Sequence, residues 1–263
     1  MKKTIFLLIT AVVIFSSCDK KDETITETQN IPGKVTVNFD AVFGTSDFAL
    51  NTNFTSGTKT YNFDKFRYWV SNIVLIKANG EEVSVPKSYF LLEETKALTL
   101  SDLGEFTYPA TKREQIVLSD IPAGDYKGIK FGVGVDAKYN ENMSLQAGEL
   151  SQYNGMTNIS WMWLTSYIFT AVGGKVTEGT TNKTIKVETG LNANYKTVSL
   201  SFPQNVKIGS SKATAINLKA DVGMALDGID VMSTPTVGAA QATTMTAVAN
   251  NYNTKVFSVV SVN

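Results

Sequence analysis

The stretch "YKGIKFGVGVDA", residues 126–137, alternates large apolar residues with lysine, glycine and aspartate. Ile129, Phe131, Val133 and Val135 fall on one face of an extended chain, and the residues between them fall on the other. This period of two predicts a β-strand with one buried face, because a helix would repeat its apolar residues at intervals of three and four.

Five further segments carry the β pattern, and turn signals such as "ANGEE" (78–82), "IPAGD" (121–125) and "VGGK" (172–175) divide the chain. We therefore predict an all-β fold, an antiparallel β-sandwich of the immunoglobulin-like or a related type, in one domain over residues 34–263. One or two short helices are expected, the first in "ATTMTAVANNY", residues 242–252, where Met245, Val248, Ala249 and Tyr252 have helical spacing. These five segments are "KVTVNFDAVF" (34–43), "KFRYWVSNIVLI" (65–76), "TIKVETG" (184–190), "KTVSLSF" (196–202) and "AINLKADV" (215–222).

The N-terminus has the layout of an export signal. In "MKKTIFLLITAVVIFSSC" two lysines precede a short apolar run, and Ser16 and Ser17 precede Cys18 as in a bacterial lipobox. Residues 1–17 are expected to be a signal peptide, Cys18 the lipidated residue and residues 18–33 a flexible tether. Lys21, Asp22 and Glu23 resemble the signal that directs Bacteroidota lipoproteins to the outer face of the outer membrane; an ordinary signal peptide with an incidental cysteine is the alternative.

Composition excludes several classes of function. After removal of residues 1–17 the chain keeps 22 basic and 24 acidic side chains, a net charge of −2, so we expect no nucleic-acid partner. The one cysteine is assigned to the lipid, so no disulfide is expected. The chain has no histidine, which rules out Ser-His-Asp and Cys-His catalysis and histidine zinc sites, and we expect a protein that is not an enzyme.

The candidate site lies in "GMTNISWMWLTSYIF", residues 155–169, which holds two tryptophans one residue apart and methionines at 156 and 162. In an extended segment Trp161 and Trp163 would point to the same face, and both would be buried in the core. The alternative interpretation is a soft-metal site, since methionine sulfur is a ligand that cuprous ion accepts.

The order of segments resembles the MbnP-like family, the periplasmic copper-binding proteins associated with methanobactin. The resemblance rests on "FRYWVSNIVL", "IPAGDYKGIKFGVGVD", "GMTNISWMWLTSYIF" and "VETG", and spans roughly residues 34–225. It implies a β-sandwich and a copper site built from histidines, in some members with a tryptophan oxidised to kynurenine. Glu188 occupies the usual "HxG"-like position here, so copper would depend on Met156, Trp161, Met162, Trp163 and Glu188. The alternative hypothesis is a surface module that has the same fold, no longer binds the metal, and binds another ligand or an adhesion partner.

A second, separate group of oxygen donors follows the opening strand. Asp136, Asn140, Glu141 and Asn142 in "VDAKYNEN" are residue types that bind calcium, although Asx-rich turns have the same composition without any ion.

The expected partners are the membrane, through the lipid on Cys18, and envelope proteins that the sequence does not identify.

Overall fold

The computed structural model describes residues 31–100, 106–210 and 212–263. Cys18 and the Lys21, Asp22 and Glu23 signal lie outside the described residues. Within these ranges the chain forms seventeen strands, four α-helices and two 3-10 helices, Asn192–Asn194 and Ala239–Gln241. The strands are β1 Gly33–Phe43, β2 Ser46–Asp47, β3 Asn53–Ser56, β4 Lys59–Lys77, β5 Glu82–Ser84, β6 Tyr89–Thr95, β7 Leu98–Leu100, β8 Phe106–Tyr108, β9 Thr111–Arg113, β10 Gln115–Ile121, β11 Gly124–Val133, β12 Ile168–Glu178, β13 Thr181–Gly190, β14 Lys196–Ile208, β15 Thr214–Asp221, β16 Thr236–Val237 and β17 Phe257–Val262. The helices are α1 Ala137–Asn140, α2 Ile159–Trp163, α3 Val222–Ala225 and α4 Ala242–Thr254.

Two sheets pack face to face, which confirms the predicted β-sandwich. The smaller has the order β10-β1-β15-β17, with β2 beside β1, and the larger is built around β4. Phe39 of β1 contacts Tyr68 and Phe131 of the large sheet, with ring centroids 6.4 and 5.5 Å apart. The opening strand buries Ile129, Phe131 and Val133 in this layer, as its alternation predicts.

The sheets are mixed rather than purely antiparallel. β1 pairs in parallel with β15, and β13 pairs in parallel with β16. The first pairing joins residues that lie far apart in the sequence, such as Val35 and Thr214. Local periodicity contains no information about such pairings, because it describes one strand at a time.

The long strand β4 organises the large sheet. One edge pairs with β12 over residues 59–68 and with β11 over residues 70–77, while β6 occupies the opposite edge over residues 65–71. The predicted helix near the C-terminus is confirmed as α4, which buries Met245, Val248 and Tyr252. No helix in the described ranges has the length and apolarity needed to cross a membrane.

The prediction that the "VGGK" segment is a turn is wrong. Gly173 and Gly174 lie inside β12, at a break in its register with β4. Gly174 has a φ of +146° and its backbone approaches Asn62 so closely that a Cβ would lie 2.3 Å from the Asn62 carbonyl oxygen. Paired glycines here mark a bulge within a strand rather than its end.

Candidate functional site

The tryptophan stretch is helical where an extended segment was predicted. Helix α2 begins after Asn158, whose Oδ1 accepts hydrogen bonds from the backbone N–H groups of Ser160 (3.1 Å) and Trp161 (3.3 Å). Because residues two apart on a helix point in nearly opposite directions, the two tryptophans diverge. Trp161 is 4% exposed and Trp163 is 83% exposed, so only the first belongs to the core.

Trp161 is fixed against strand β13. Its indole Nε1 donates to Glu188 Oε2 at 2.9 Å, and both residues are buried. The other oxygen, Glu188 Oε1, lies 3.5 Å from Lys186 Nζ. Gly190 makes room for the ring, since a Cβ there would lie 2.5 Å from Trp161 Cζ3. The segment "VETG" therefore supplies both an acceptor for the indole and the space it fills.

The five residues considered for copper do not form one site. Trp161 and Glu188 are in contact, and Met162 and Glu188 line a common cavity of about 190 Å³. Met156 is fully buried, and its backbone carbonyl accepts a hydrogen bond from the Ile168 N–H at 2.8 Å. Trp163 points to solvent.

The residues around Trp161 do not fit copper as they stand. Both oxygens of Glu188 already face donors, the indole N–H and the Lys186 ammonium. A carboxylate is a hard ligand that matches cuprous ion poorly, and two lysines, Lys65 and Lys186, line the same cavity. No group of three or more histidine, cysteine, aspartate or glutamate residues that could hold a metal occurs among the described residues.

The oxygen donors considered for calcium have separate local roles. Asp136 caps helix α1 by accepting from the Lys138 N–H, and it also accepts from Asn72 Nδ2 at 2.8 Å and from the Tyr89 hydroxyl. Burial and the hydrogen bond to Asp136 raise the pKa of Tyr89. This aspartate therefore ties the start of α1 to β4 and β6.

The other three donors bind different partners. Asn140 is buried and its Oδ1 accepts from the Tyr167 N–H at 2.8 Å, while Glu141 Oε1 accepts from Asn192 Nδ2 at 2.6 Å. Asn142 Oδ1 forms an Asx turn with Ser144. Each of these side chains thus accepts a hydrogen bond from a different group. Calcium binding at this segment stays a prediction.

A buried ion pair that sequence reasoning missed lies beside the cavity. Arg67 Nε donates to Glu93 Oε2 at 2.7 Å, and Arg67 Nη2 donates to the Asn154 carbonyl at 2.6 Å. The Tyr108 hydroxyl donates to Glu93, and the Arg67 guanidinium lies 5.0 Å from the Tyr108 ring centroid. Burial and the bond to Glu93 raise the pKa of Tyr108. These contacts hold β8 and the loop at Asn154 over the outer face of β4.

The signal for this network was a charge in an apolar run. Arg67 interrupts "FRYWV", and a charged residue in the middle of a buried strand needs a partner. The partner, Glu93, lies directly opposite in the register of β4 and β6. The register could not be read from the sequence, although the need for a partner could.

A larger cleft lies elsewhere on the molecule. It has a volume of about 710 Å³ and is lined by the end of β1, by β3 and β4, and by the segment after β15, including Phe43, Tyr61 and Asp230. None of its lining residues is shared with the cavity at Glu188. Size alone would favour it, but the smaller cavity holds the groups that the resemblance identified.

Comparison with known proteins gives one family and one solved structure. The sequence matches the MbnP family over residues 32–246. The fold is similar to the structure of MbnP from Methylosinus trichosporium, with 17% sequence identity, a TM-score of 0.44, and coverage of 75% of this chain and 85% of that one. No curated protein matches the sequence.

Proposed function

The chain belongs to the MbnP family, and from that premise we propose that it is a non-enzymatic, lipid-anchored protein of the cell envelope that binds a ligand other than copper. The site is the cavity beside Trp161 and Glu188. Copper is the ligand that the family implies, and the local chemistry of this chain argues against it.

The observation that carries the proposal is the state of Glu188. This residue stands where the resemblance expects a histidine, and its carboxylate is held by the Trp161 N–H at 2.9 Å. A metal ion would have to displace that hydrogen bond and then sit beside the ammonium groups of Lys65 and Lys186. Like charges in a partly buried site repel, so these lysines oppose a cation and favour a ligand of another kind.

The position of the site supports its use by a ligand from solution. Beyond the tether the fold begins at Gly33, which lies against Gly209 near the Lys77 end of β4. Lys65 is twelve residues away along β4, or roughly 40 Å at about 3.3 Å per residue. An anchor at Cys18 would therefore attach to the end of the sandwich that is remote from the cavity.

The test is copper binding by the purified full-length protein. We expect no stoichiometric copper after incubation with cuprous or cupric ion, and no copper-dependent rise in Tm. A working site at 100 times its dissociation constant would instead stabilise the fold by about 2.7 kcal/mol.

Two methionine variants make the copper test specific. Met162 and Met224 are similarly exposed, at 37% and 39%, but only Met162 lines the cavity at Glu188. Stoichiometric copper that is lost in Met162→Leu and kept in Met224→Leu would overturn the proposal and restore the family ligand.

The anchor has its own test. We expect Cys18→Ala to shift the protein from the membrane fraction to the soluble fraction, because the acylated thiol would be gone. Ser17→Ala keeps the cysteine and is the matched control, which should remain with the membranes. Equal membrane association of both variants would contradict lipid anchoring through Cys18.

A further inference from the structure

Two lysines from the strands on either side of β12 line the cavity beside Glu188. In the register of the large sheet Gly173 pairs with Lys65 on one side and with Lys186 on the other. A Cβ on Gly173 would lie 2.7 Å from Lys65 Cε, so the lysine stem extends over the glycine. Lys65 and Lys186 both line the cavity, which has a volume of about 190 Å³.

Two polar groups of this cavity lack partners among the described residues. Thr157 is 4% exposed, lines the cavity, and its hydroxyl makes no hydrogen bond within those ranges. The Lys65 ammonium forms neither an ion pair nor a hydrogen bond there. Buried polar groups are rarely left unsatisfied, because each such group costs free energy unless water or a ligand takes the place of a protein partner.

The side chains that line the cavity carry two positive charges and one negative charge. Lys186 lies 3.5 Å from Glu188, and Lys65 forms no ion pair among the described residues, although the nearby Asp64 and Glu188 carboxylates favour its charged form. The neighbouring Asp64 does not line the cavity and is ion-paired with Lys96 at 2.9 Å. A ligand with a single negative charge would therefore neutralise the lining.

The lining also includes three apolar side chains, and the volume is small. Leu98, Leu100 and Met162 line the cavity together with Thr99, Gly155 and Asn158. At about 30 Å³ for each water molecule, the cavity holds roughly six waters, or a ligand with a similar number of heavy atoms. Such a ligand would have a charged head and a short hydrocarbon tail.

We propose that this cavity binds a short-chain organic monocarboxylate. The carboxylate lies between Lys65 and Lys186 and accepts a hydrogen bond from the Thr157 hydroxyl, while the tail lies against Leu98, Leu100 and Met162. The inference rests on the proposed function, since it names the ligand class of the same site. Burial lowers the pKa of Lys65 in the free protein, and a bound carboxylate would offset that loss by stabilising the charged form.

The experiment is calorimetric titration of the full-length protein with butyrate. We expect saturable binding of one butyrate for each chain. Thr157→Val removes the hydroxyl at nearly constant volume, and Lys65→Met removes the charge while keeping an unbranched stem. Each should weaken butyrate at least about tenfold, the loss expected for a hydrogen bond to a charged group. Lys183→Met is the control, since Lys183 is exposed and does not line the cavity, and it should leave the affinity unchanged.

Two other probes define the ligand class. 1-Butanol has the same tail without the charge, and inorganic phosphate has charge without the tail, so both should bind more weakly than butyrate. Three results would each overturn the inference. They are the absence of saturable butyrate binding, wild-type affinity for butyrate in Thr157→Val and Lys65→Met, and binding of 1-butanol or phosphate as tight as that of butyrate.

Copper content of the same preparations separates the two proposals. A protein that binds neither copper nor butyrate overturns the monocarboxylate and leaves the loss of copper standing. A protein that retains stoichiometric copper at Met162 overturns the proposed function, and the cavity is then a metal site.

Discussion

At the scale of single residues, the sequence identified the important stretch but not the direction of its side chains. Trp161 and Trp163 look equivalent in "SWMWL", and an extended chain would place them side by side. The Asn158 cap instead begins a turn of helix, and that one local hydrogen-bonding choice places Trp161 in the core and Trp163 in solvent. Short apolar runs do not distinguish strand from helix by periodicity alone.

The two tryptophans therefore form a matched pair for a stability measurement. Trp161→Ala should lower the free energy of unfolding by about 3–5 kcal/mol, since it removes a buried ring and leaves Glu188 without its indole donor. Trp163→Ala should change it by less than about 0.5 kcal/mol, because the side chain is 83% exposed. Urea unfolding followed by circular dichroism measures both, and similar losses in the two variants would contradict the helical assignment.

At the scale of elements, a glycine-containing segment does not always mark a turn between two strands. "IPAGD" does connect β10 to β11, but Gly173 and Gly174 lie within β12, at a break in its register with β4. Sequence reasoning predicts that a paired glycine permits unusual backbone; whether it ends a strand or bends it depends on which strands lie alongside. β4 lies alongside here, and its long-range pairing could not be derived from one chain segment.

Gly190 gives a test of how β13 positions α2. An alanine Cβ at this position would lie 2.5 Å from Trp161 Cζ3 and 2.8 Å from the Tyr167 carbonyl oxygen. We expect Gly190→Ala to displace the indole from Glu188 and to destabilise the fold by about 1–3 kcal/mol, as overpacking does. Near-ultraviolet circular dichroism and urea unfolding report the two effects.

Gly209→Ala is the control for that change. Its Cβ would meet only Ala123 at 3.8 Å, an ordinary contact, and its backbone does not require glycine. The free energy of unfolding should therefore hardly change. Wild-type stability in Gly190→Ala would show that α2 does not depend on the space at Gly190.

At the scale of the whole molecule, the β-sandwich could be predicted from the sequence, but the order in which its strands pair could not. The chain beyond the family match contributes β17, which pairs with β15 and inserts Phe257 against Phe39, Phe131 and Tyr68. Alternation in "AINLKADV" predicted a half-buried strand, and the structure buries Ile216, Leu218 and Ala220. Its parallel neighbour β1 and antiparallel neighbour β17 follow from packing across the whole chain, which no local pattern encodes.

The buried tyrosines of the core determine how the free energy of unfolding depends on pH. Seven tyrosines have a pKa raised chiefly by burial: Tyr61, Tyr68, Tyr89, Tyr108, Tyr126, Tyr167 and Tyr252. The folded chain therefore holds these protons more tightly than the unfolded chain, and the stability they contribute is complete below the unfolded pKa of about 10 and is lost as pH rises above it. No histidine is present to titrate near neutrality.

We expect the urea midpoint to be nearly the same at about pH 7 and pH 8 and to fall above about pH 10, in step with phenolate absorbance. Tyr167→Phe tests the cause, since the Tyr167 hydroxyl is buried without a partner among the described residues. Removing it should leave stability at neutral pH unchanged or higher and should reduce the alkaline loss, because one fewer buried proton must be retained. Tyr153→Phe, at a residue that is 62% exposed, should alter neither. An alkaline loss of the same size in Tyr167→Phe and wild type would show that this tyrosine does not contribute to it.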